Sequence, residues 1–246
     1  MTTPPSSMSF PPSWAHCGRG AGPADPIGCP GVRLPGHAAC LAHVSESDRH
    51  AYLAALTPGA DIDHRGTRFT EPLLHALLQA LLDPVTGQPS IGIATFDEAT
   101  FTGTARFDKV TLGQAKFRLA KFTGHAGFGG VKLAGVAGFG EATFSSTAFF
   151  GGATFGGDAW FGGAAFGGHA WFGDATFKGN SGFGAATFRG TAGFGRAMFT
   201  GEAGFTRTLF TGHAGFGEAT FTGPAEFGEA RFAGDAGFAR TTVGGA

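Results

Sequence analysis

The sequence predicts an all-β solenoid with a small helical leader at its N-terminal end, on three observations. From Phe96 to Phe238 a large apolar residue recurs at 27 positions, five or six residues apart, and 25 of these are Phe. Two residues before each stands a small residue, Ala in 23 cases. Residues 91–246 hold 36 Gly among 156. At roughly 1 kcal/mol per Gly in a helix interior, that content excludes a helical supercoil of eleven-residue period.

On an extended segment, a residue and the one two before it point the same way. Phe and Ala therefore face inward together, and stacked coils place Phe over Phe, burying about 150–250 Å² each. Leu112 and Leu133 stand in for Phe, and Val110, Val131, Ser181 and Thr208 for Ala. Phe10, Phe69 and Phe149 fall outside this register. From Phe122 onward the spacing alternates six and five, so the unit is eleven residues, F-G-x-A-T-F-x-G-x-A-G. In the six-residue steps Gly usually lies two after the preceding Phe, as at Gly168 and Gly190. The extra residue predicts a corner bulge with Gly at positive φ. The 45 Gly and 13 Pro would suit a disordered chain, but a 42% hydrophobic content and a fixed period do not.

Three regions follow from this pattern. Residues 1–15 are rich in Pro and Ser and read as a flexible arm. Residues 16–90 form a Cys/His-containing helical leader and cap, and residues 91–246 form the repeat. In the leader, "SESDRHAYLAAL" offers Ser45 or Ser47 as N-cap, with Tyr52, Leu53 and Leu56 on one side, and "TPG" ends the helix. The second helix is "TEPLLHALLQALLDP". Thr70 caps it, Glu71 suits its positive start and Pro72 fits the first turn. Its leucines (73, 74, 77, 78, 81 and 82) form a stripe that the first coil of the repeat is expected to cover.

Formal net charge is −1, so no strong field recruits nucleic acid or an anionic membrane. No apolar run reaches the roughly 18 residues of a membrane span, and the N-terminal stretch lacks the pattern of a secretory signal. The expectation is a cytoplasmic protein with reduced thiols.

One constellation has metal-ligand character: Cys17, Cys29, Cys40 and His43, with His16 and His37 nearby. The "CLAH" spacing (40–43) lets one turn present a thiolate and an imidazole to a single Zn²⁺. "HCGRGAG" and "IGCPG" supply the other two thiolates from Gly/Pro-rich loops. The expected role is structural. "DIDHRG" bunches Asp61, Asp63, His64 and Arg65, which reads as a solvated turn before a helix. His125, His169 and His213 lie too far apart along the rod to share a metal. No nucleophile-elbow, phosphate-loop or zinc-protease motif appears.

Ala two before a central Phe or Leu, as in "ATFDEATF" (94–101) and "QAKFRLAKF" (114–122), resembles the pentapeptide-repeat family over residues 94–238. The resemblance implies a right-handed, four-sided β-helix with the central residue and Ala inward, and capping helices in many members. Here Thr, Gly or Lys usually replaces the family's Asp or Asn before the central residue. Alternate units have six residues, so a coil takes about 22 residues and residues 94–238 make roughly six and a half coils, about 31 Å of rod. Residues 16–90 look like the leader found before such repeats in actinobacterial proteins of no assigned activity, on "CLAH", "YLAAL", "PGADIDHRGT" and "EPLLHALL".

With four sides per coil, Phe149 and Trp171 stack on one outer face and Trp160 lies on the opposite one. Exposed aromatics amid glycine mark partner contacts. The function expected is therefore a non-enzymatic scaffold or protein-interaction module. Some family members mimic DNA and bind topoisomerases, which needs a strongly acidic rod. Residues 91–246 carry 12 Lys/Arg and 11 Asp/Glu, which argues against mimicry. An open last coil exposes unpaired strand edges, and a homodimer through that end is expected.

Overall fold

The computed structural model describes residues 11–244. Its body is a parallel β-solenoid in which nearly every strand is two residues long and pairs with the same side of the coils before and after it. One side forms an eight-stranded ladder and another a seven-stranded ladder. The other two sides share a 14-stranded sheet, joined where residues 90–95 and 111–116 run as longer strands. Phe101 pairs with Phe122, 21 residues on, and Phe122 with Phe144, 22 on. The coil thus lengthens by one residue when the strict six-five alternation begins.

The inward residues do what their spacing demands. The register Phe from Phe96 to Phe221 and their Ala partners are essentially inaccessible to solvent. Along each column the rings stack nearly parallel, as for Phe139–Phe161 at 5.0 Å and 1° or Phe155–Phe177 at 4.6 Å and 3°. Across the tube, rings of opposite sides meet edge to face, as for Phe150–Phe161 at 5.4 Å and 85°. Both are favoured aromatic geometries, and the core uses them throughout. In the last described coil Phe227 and Phe232 are only partly covered, and Phe238 and Val243 are exposed.

The corners are of two kinds. At the five-residue steps a turn closes on itself, with Ala142 N donating to Phe139 O at 3.1 Å. The third residue of that turn adopts positive φ, once every eleven residues for most of the rod: Glu141, Gly152, Gly163, Asp174, Ala185, Arg196, Arg207 and Glu218. Positive φ at this position defines a type II turn, which usually takes Gly. Here most of these residues are not Gly. At the six-residue steps the expected positive-φ bulge is not found beyond Gly103. Glycine serves closeness there instead, with Ser146 the one substitute after Gly103. A Cβ on Gly190 would lie 2.6 Å from the Gly168 carbonyl oxygen, and one on Gly201 would lie 2.6 Å from that of Gly179.

The β-helical path begins earlier than the Phe spacing indicates. Strand β1 (Ile62–Asp63) pairs with residues 94–95, and β2 (Arg68–Thr70) with residues 100–102. Ile62-Asp63-His64-Arg65-Gly66-Thr67-Arg68-Phe69 is a coil segment in register with residues 94–101. "DIDHRG" is therefore a coil segment and only in part a solvated turn: Asp61 and Asp63 are exposed, but His64 and Gly66 are buried. Phe69 is not off register either: it stacks on Phe101 at 5.3 Å and 14°. His64 takes a place in a Phe column, fully buried between Tyr52, Phe69 and Phe96.

The two helices then close this end. Helix α1 (Glu46–Ala54) is capped by the Ser45 hydroxyl, which accepts from Asp48 N. Helix α2 (Glu71–Ala80) starts at Thr70, directly after β2, and Thr70 accepts from Leu73 N. Leu74, Leu77, Leu78 and Leu81 join the Phe core, whereas Leu82 is partly exposed. Residues 1–10 of the expected flexible arm lie outside the described residues. Residues 11–15 are docked: Trp14 Nε1 donates to Pro30 O at 2.8 Å, and the Arg65 guanidinium lies 5.0 Å from the Trp14 ring centre.

Two outcomes are expected. Gly190→Ala forces backbone apart and should lower stability by about 2 kcal/mol or more, while Ala185→Gly relieves positive-φ strain and should raise it by about 0.5–1 kcal/mol. Urea unfolding midpoints read both, and equal effects would contradict the two-corner description. Burial lowers His64 from 6.5 to about 4, so the fold holds it neutral. Its contribution is complete above about pH 6.5 and is lost as pH falls towards 4, worth about 3 kcal/mol over that span. His64→Phe should flatten the acid limb of a stability-against-pH curve measured beside the wild type.

Candidate metal centre

Three short loops of the leader bring Cys17, Cys29, Cys40 and His43 together. Residues 16–32 fold back on themselves, with His16 and Val32 bridged antiparallel, Cys17 N donating to Gly31 O and Gly18 N to Cys29 O. This puts two thiols side by side. The third thiol and the imidazole come from one turn, in which His43 N and Val44 N both donate to Cys40 O. Arg49 of α1 locks that turn by donating to the carbonyls of Leu41, Ala42 and Val44.

Three of the donor–donor distances are short. Cys17 Sγ lies 3.5 Å and Cys40 Sγ 3.6 Å from His43 Nδ1, and Cys29 Sγ lies 3.8 Å from Cys40 Sγ. All four donor atoms fall within 4.8 Å of one another. A tetrahedral ion with about 2.3 Å bonds to sulfur and about 2.05 Å to nitrogen requires edges of about 3.8 Å and 3.6 Å. The observed spacings fit one mononuclear ion. They are too long for a disulfide, and all three cysteines are free.

The local electrostatics suit thiolates held by a cation. Burial works against the Cys17 thiolate, but the N–H groups of Cys40 and Arg19 outweigh it and the thiol lies below its usual range. Burial raises Cys29. Burial and then the neighbouring charges of Cys29 and Cys17 push Cys40 up to about 12. Three thiolates this close repel one another strongly, and a divalent ion is what lets them coexist. His43 is kept neutral by burial and by the charges of Arg19 and Arg49, as a ligand must be. The backbone N–H groups of Arg19, Gly31 and Ala42, each two residues beyond a cysteine, face the sulfurs.

The cluster is fastened to the solenoid. A Cβ on Gly31 would meet Cys40 Sγ at 2.8 Å and Thr67 Oγ1 at 3.1 Å, so only Gly lets the loop lie on the first coil. Val32 N donates to Arg65 O within that coil. His16 stands outside the ligand set, and His37 faces Asp48 at 3.7 Å.

A family model described as pentapeptide repeats (9 copies) matches residues 91–132 and 128–176. Residues 91–176 are pentapeptide repeats. No curated protein matches the chain. In these repeats the aromatics stand as their spacing places them. Phe149 pairs across the ladder with Gly127 and Trp171, and Trp160 lies on the opposite side, paired with Gly138 and Gly182. They are 41%, 43% and 38% exposed for Phe149, Trp160 and Trp171. The two indoles lie across glycines of the next coil, and the Phe149 ring lies over Gly151 of its own coil and Gly129 of the one before. A Cβ on Gly182 would meet the Trp160 ring at 2.6 Å, and one on Gly193 the Trp171 ring at 2.5 Å.

The sequence reading missed Tyr52 and His64 as partners, Tyr52 Oη lying 3.3 Å from His64 Nε2. The five-residue step from His64 to Phe69, with Thr67 two before Phe69, was the signal available.

The chain purified in reducing buffer is expected to carry one tightly held divalent ion, read by elemental analysis. Cys40→Ser should abolish it and lower the thermal midpoint, since the cap rests on this cluster. Wild-type protein without stoichiometric metal would exclude the site.

Proposed function

We propose that the chain is a non-enzymatic scaffold: a rigid rod locked at its N-terminal end by a structural Zn²⁺ on Cys17, Cys29, Cys40 and His43, which engages a protein partner through its outer faces. The observation that carries this reading is the solid interior. The Phe and Ala columns fill the tube, and inter-coil hydrogen bonds run the length of the ladder. What the rod can offer a partner is its outer surface, and the large apolar groups there include Phe149, Trp160 and Trp171.

Zinc is favoured because three thiolates and an imidazole at tetrahedral spacing are its preferred structural set. Such a set, with four protein ligands, leaves no open position for catalysis. It carries one net negative charge when zinc-bound, and Arg19 lies beside it, donating to His43 O. Free thiols suit a reducing, cytoplasmic setting. No helix among the described residues is long and apolar enough to cross a membrane. The rod surface mixes both signs, as in the ion pairs Arg118–Glu141, Arg196–Asp174 and Arg240–Glu218, which does not favour imitation of DNA. Self-association through the last coil, where Phe238 and Val243 are exposed, belongs to the same proposal.

The test replaces Phe149, Trp160 and Trp171 by Gly, the residue their own columns carry at Gly127, Gly138 and Gly193. The triple variant should keep the β-rich circular dichroism of the wild type and lose partners co-purified from the native host. Partners retained at wild-type level would refute the aromatic contact. Sedimentation velocity on the same samples reads self-association.

A further inference from the structure

The side of the rod bearing Trp160 holds a trough of about 380 Å³, and we infer that it binds an extended segment of a partner carrying Lys or Arg. This rests on the scaffold reading above and names the chemistry of one of its faces. The floor is the outward column Gly182 and Gly204, which has no side chains, and Trp160 and Glu226 stand in the same column before and after it. Glu202 flanks the floor.

Three features choose the occupant. First, the floor offers few hydrogen bonds, because the carbonyls of Gly182, Gly204 and Glu226 already accept from Phe161, Phe183 and Phe205. It therefore favours a methylene chain over a polar ligand that needs directional partners. Second, the Trp160 indole is exposed and supplies the face on which a cation is attracted by the ring quadrupole. Third, the Glu202 and Glu226 side chains are exposed, and among the described residues neither forms an ion pair. An apolar stem ending in a positive head matches floor, ring and carboxylates together. On the opposite side the aromatics Phe149 and Trp171 lie near Asp174, but Arg196 already holds that carboxylate through two hydrogen bonds of 2.7 Å. That side has an aromatic surface without a comparable free charge.

The probe is a blocked hexapeptide of alternating Lys and Ala, titrated into the full chain. The readout is the indole NMR signal that disappears in Trp160→Gly. Saturable shifts are expected in the millimolar range or tighter. Glu202→Gln and Glu226→Gln, read by that signal, and Trp160→Gly, read by the Gly204 amide signal, should each weaken binding by about tenfold. A Glu-Ala peptide of the same length should not bind. The inference is overturned if the Lys peptide produces no saturable shift. It is equally overturned if the three variants bind as the wild type does, or if a neutral oligosaccharide competes as well as the peptide. Partner loss in the Phe149→Gly/Trp171→Gly double variant, alongside no peptide binding, would leave the scaffold reading standing and sink this one alone.

Discussion

The rise of one coil is the constraint on which the molecule depends. Parallel strands hydrogen-bonded between coils must lie about 4.8 Å apart. Aromatic rings stack at almost that separation if they lean and slide, and the Phe columns do so, with centroids mostly 4.6–5.0 Å apart. Backbone ladder and aromatic column thus share one repeat and reinforce each other. Ala beside Phe is the consequence, since a larger residue two positions earlier would crowd the tube. Where the core varies, the changes are small: Leu133 lies between Leu112 and Phe155 in one column, and Thr208 satisfies its hydroxyl on Phe183 O.

The corners show what the same rise costs. At one kind of corner the backbone of successive coils approaches so closely that a Cβ on most of its glycines would strike the neighbouring coil. At the other the chain takes positive φ, and there side chains are tolerated because they project from the rod. Asp174, Arg196, Glu218 and Arg240 occupy every second corner of this kind, one per coil, with alternating charge, and Asp174–Arg196 and Glu218–Arg240 pair directly. Exposed pairs are worth little singly. Their regular placement shows that this corner, unlike the glycine corner, is free to carry surface chemistry.

A solenoid end exposes unpaired strand edges and apolar core, so it must be covered. The leader covers one end in layers: an initial coil segment with His64 and Phe69, two helices above it, and the Cys/His cluster pinned on that segment through Gly31, Val32 and Arg65. The closure is apolar as well, since Leu74, Leu77, Leu78 and Leu81 join the Phe core, and an ion on the Cys/His cluster would add to it by tying the loops together.

Much of this was legible in the sequence. The 27 inward positions, the outward faces of Phe149, Trp160 and Trp171, the Thr70 cap and the four metal-ligand candidates follow from spacing and residue chemistry alone, whereas the first cap stayed open between Ser45 and Ser47 until the structure chose Ser45. Each depends on neighbours along the chain or on an unbroken period. The rest was decided by contacts between distant segments. His64 was read as solvated because nothing local shows that Thr95 and Phe96 would pack on it. The glycine corner was read as a matter of φ, because only the stacked coil reveals the carbonyl that a Cβ would strike. Cys17 and Cys29 match no familiar ligand spacing, and only the folding of residues 16–32 onto the Cys40 turn brings their sulfurs together with the Cys40 sulfur and the His43 nitrogen as one four-donor cluster. Periodicity specifies a solenoid because every coil meets a copy of itself; a cap meets something different, and its contacts exist only in three dimensions.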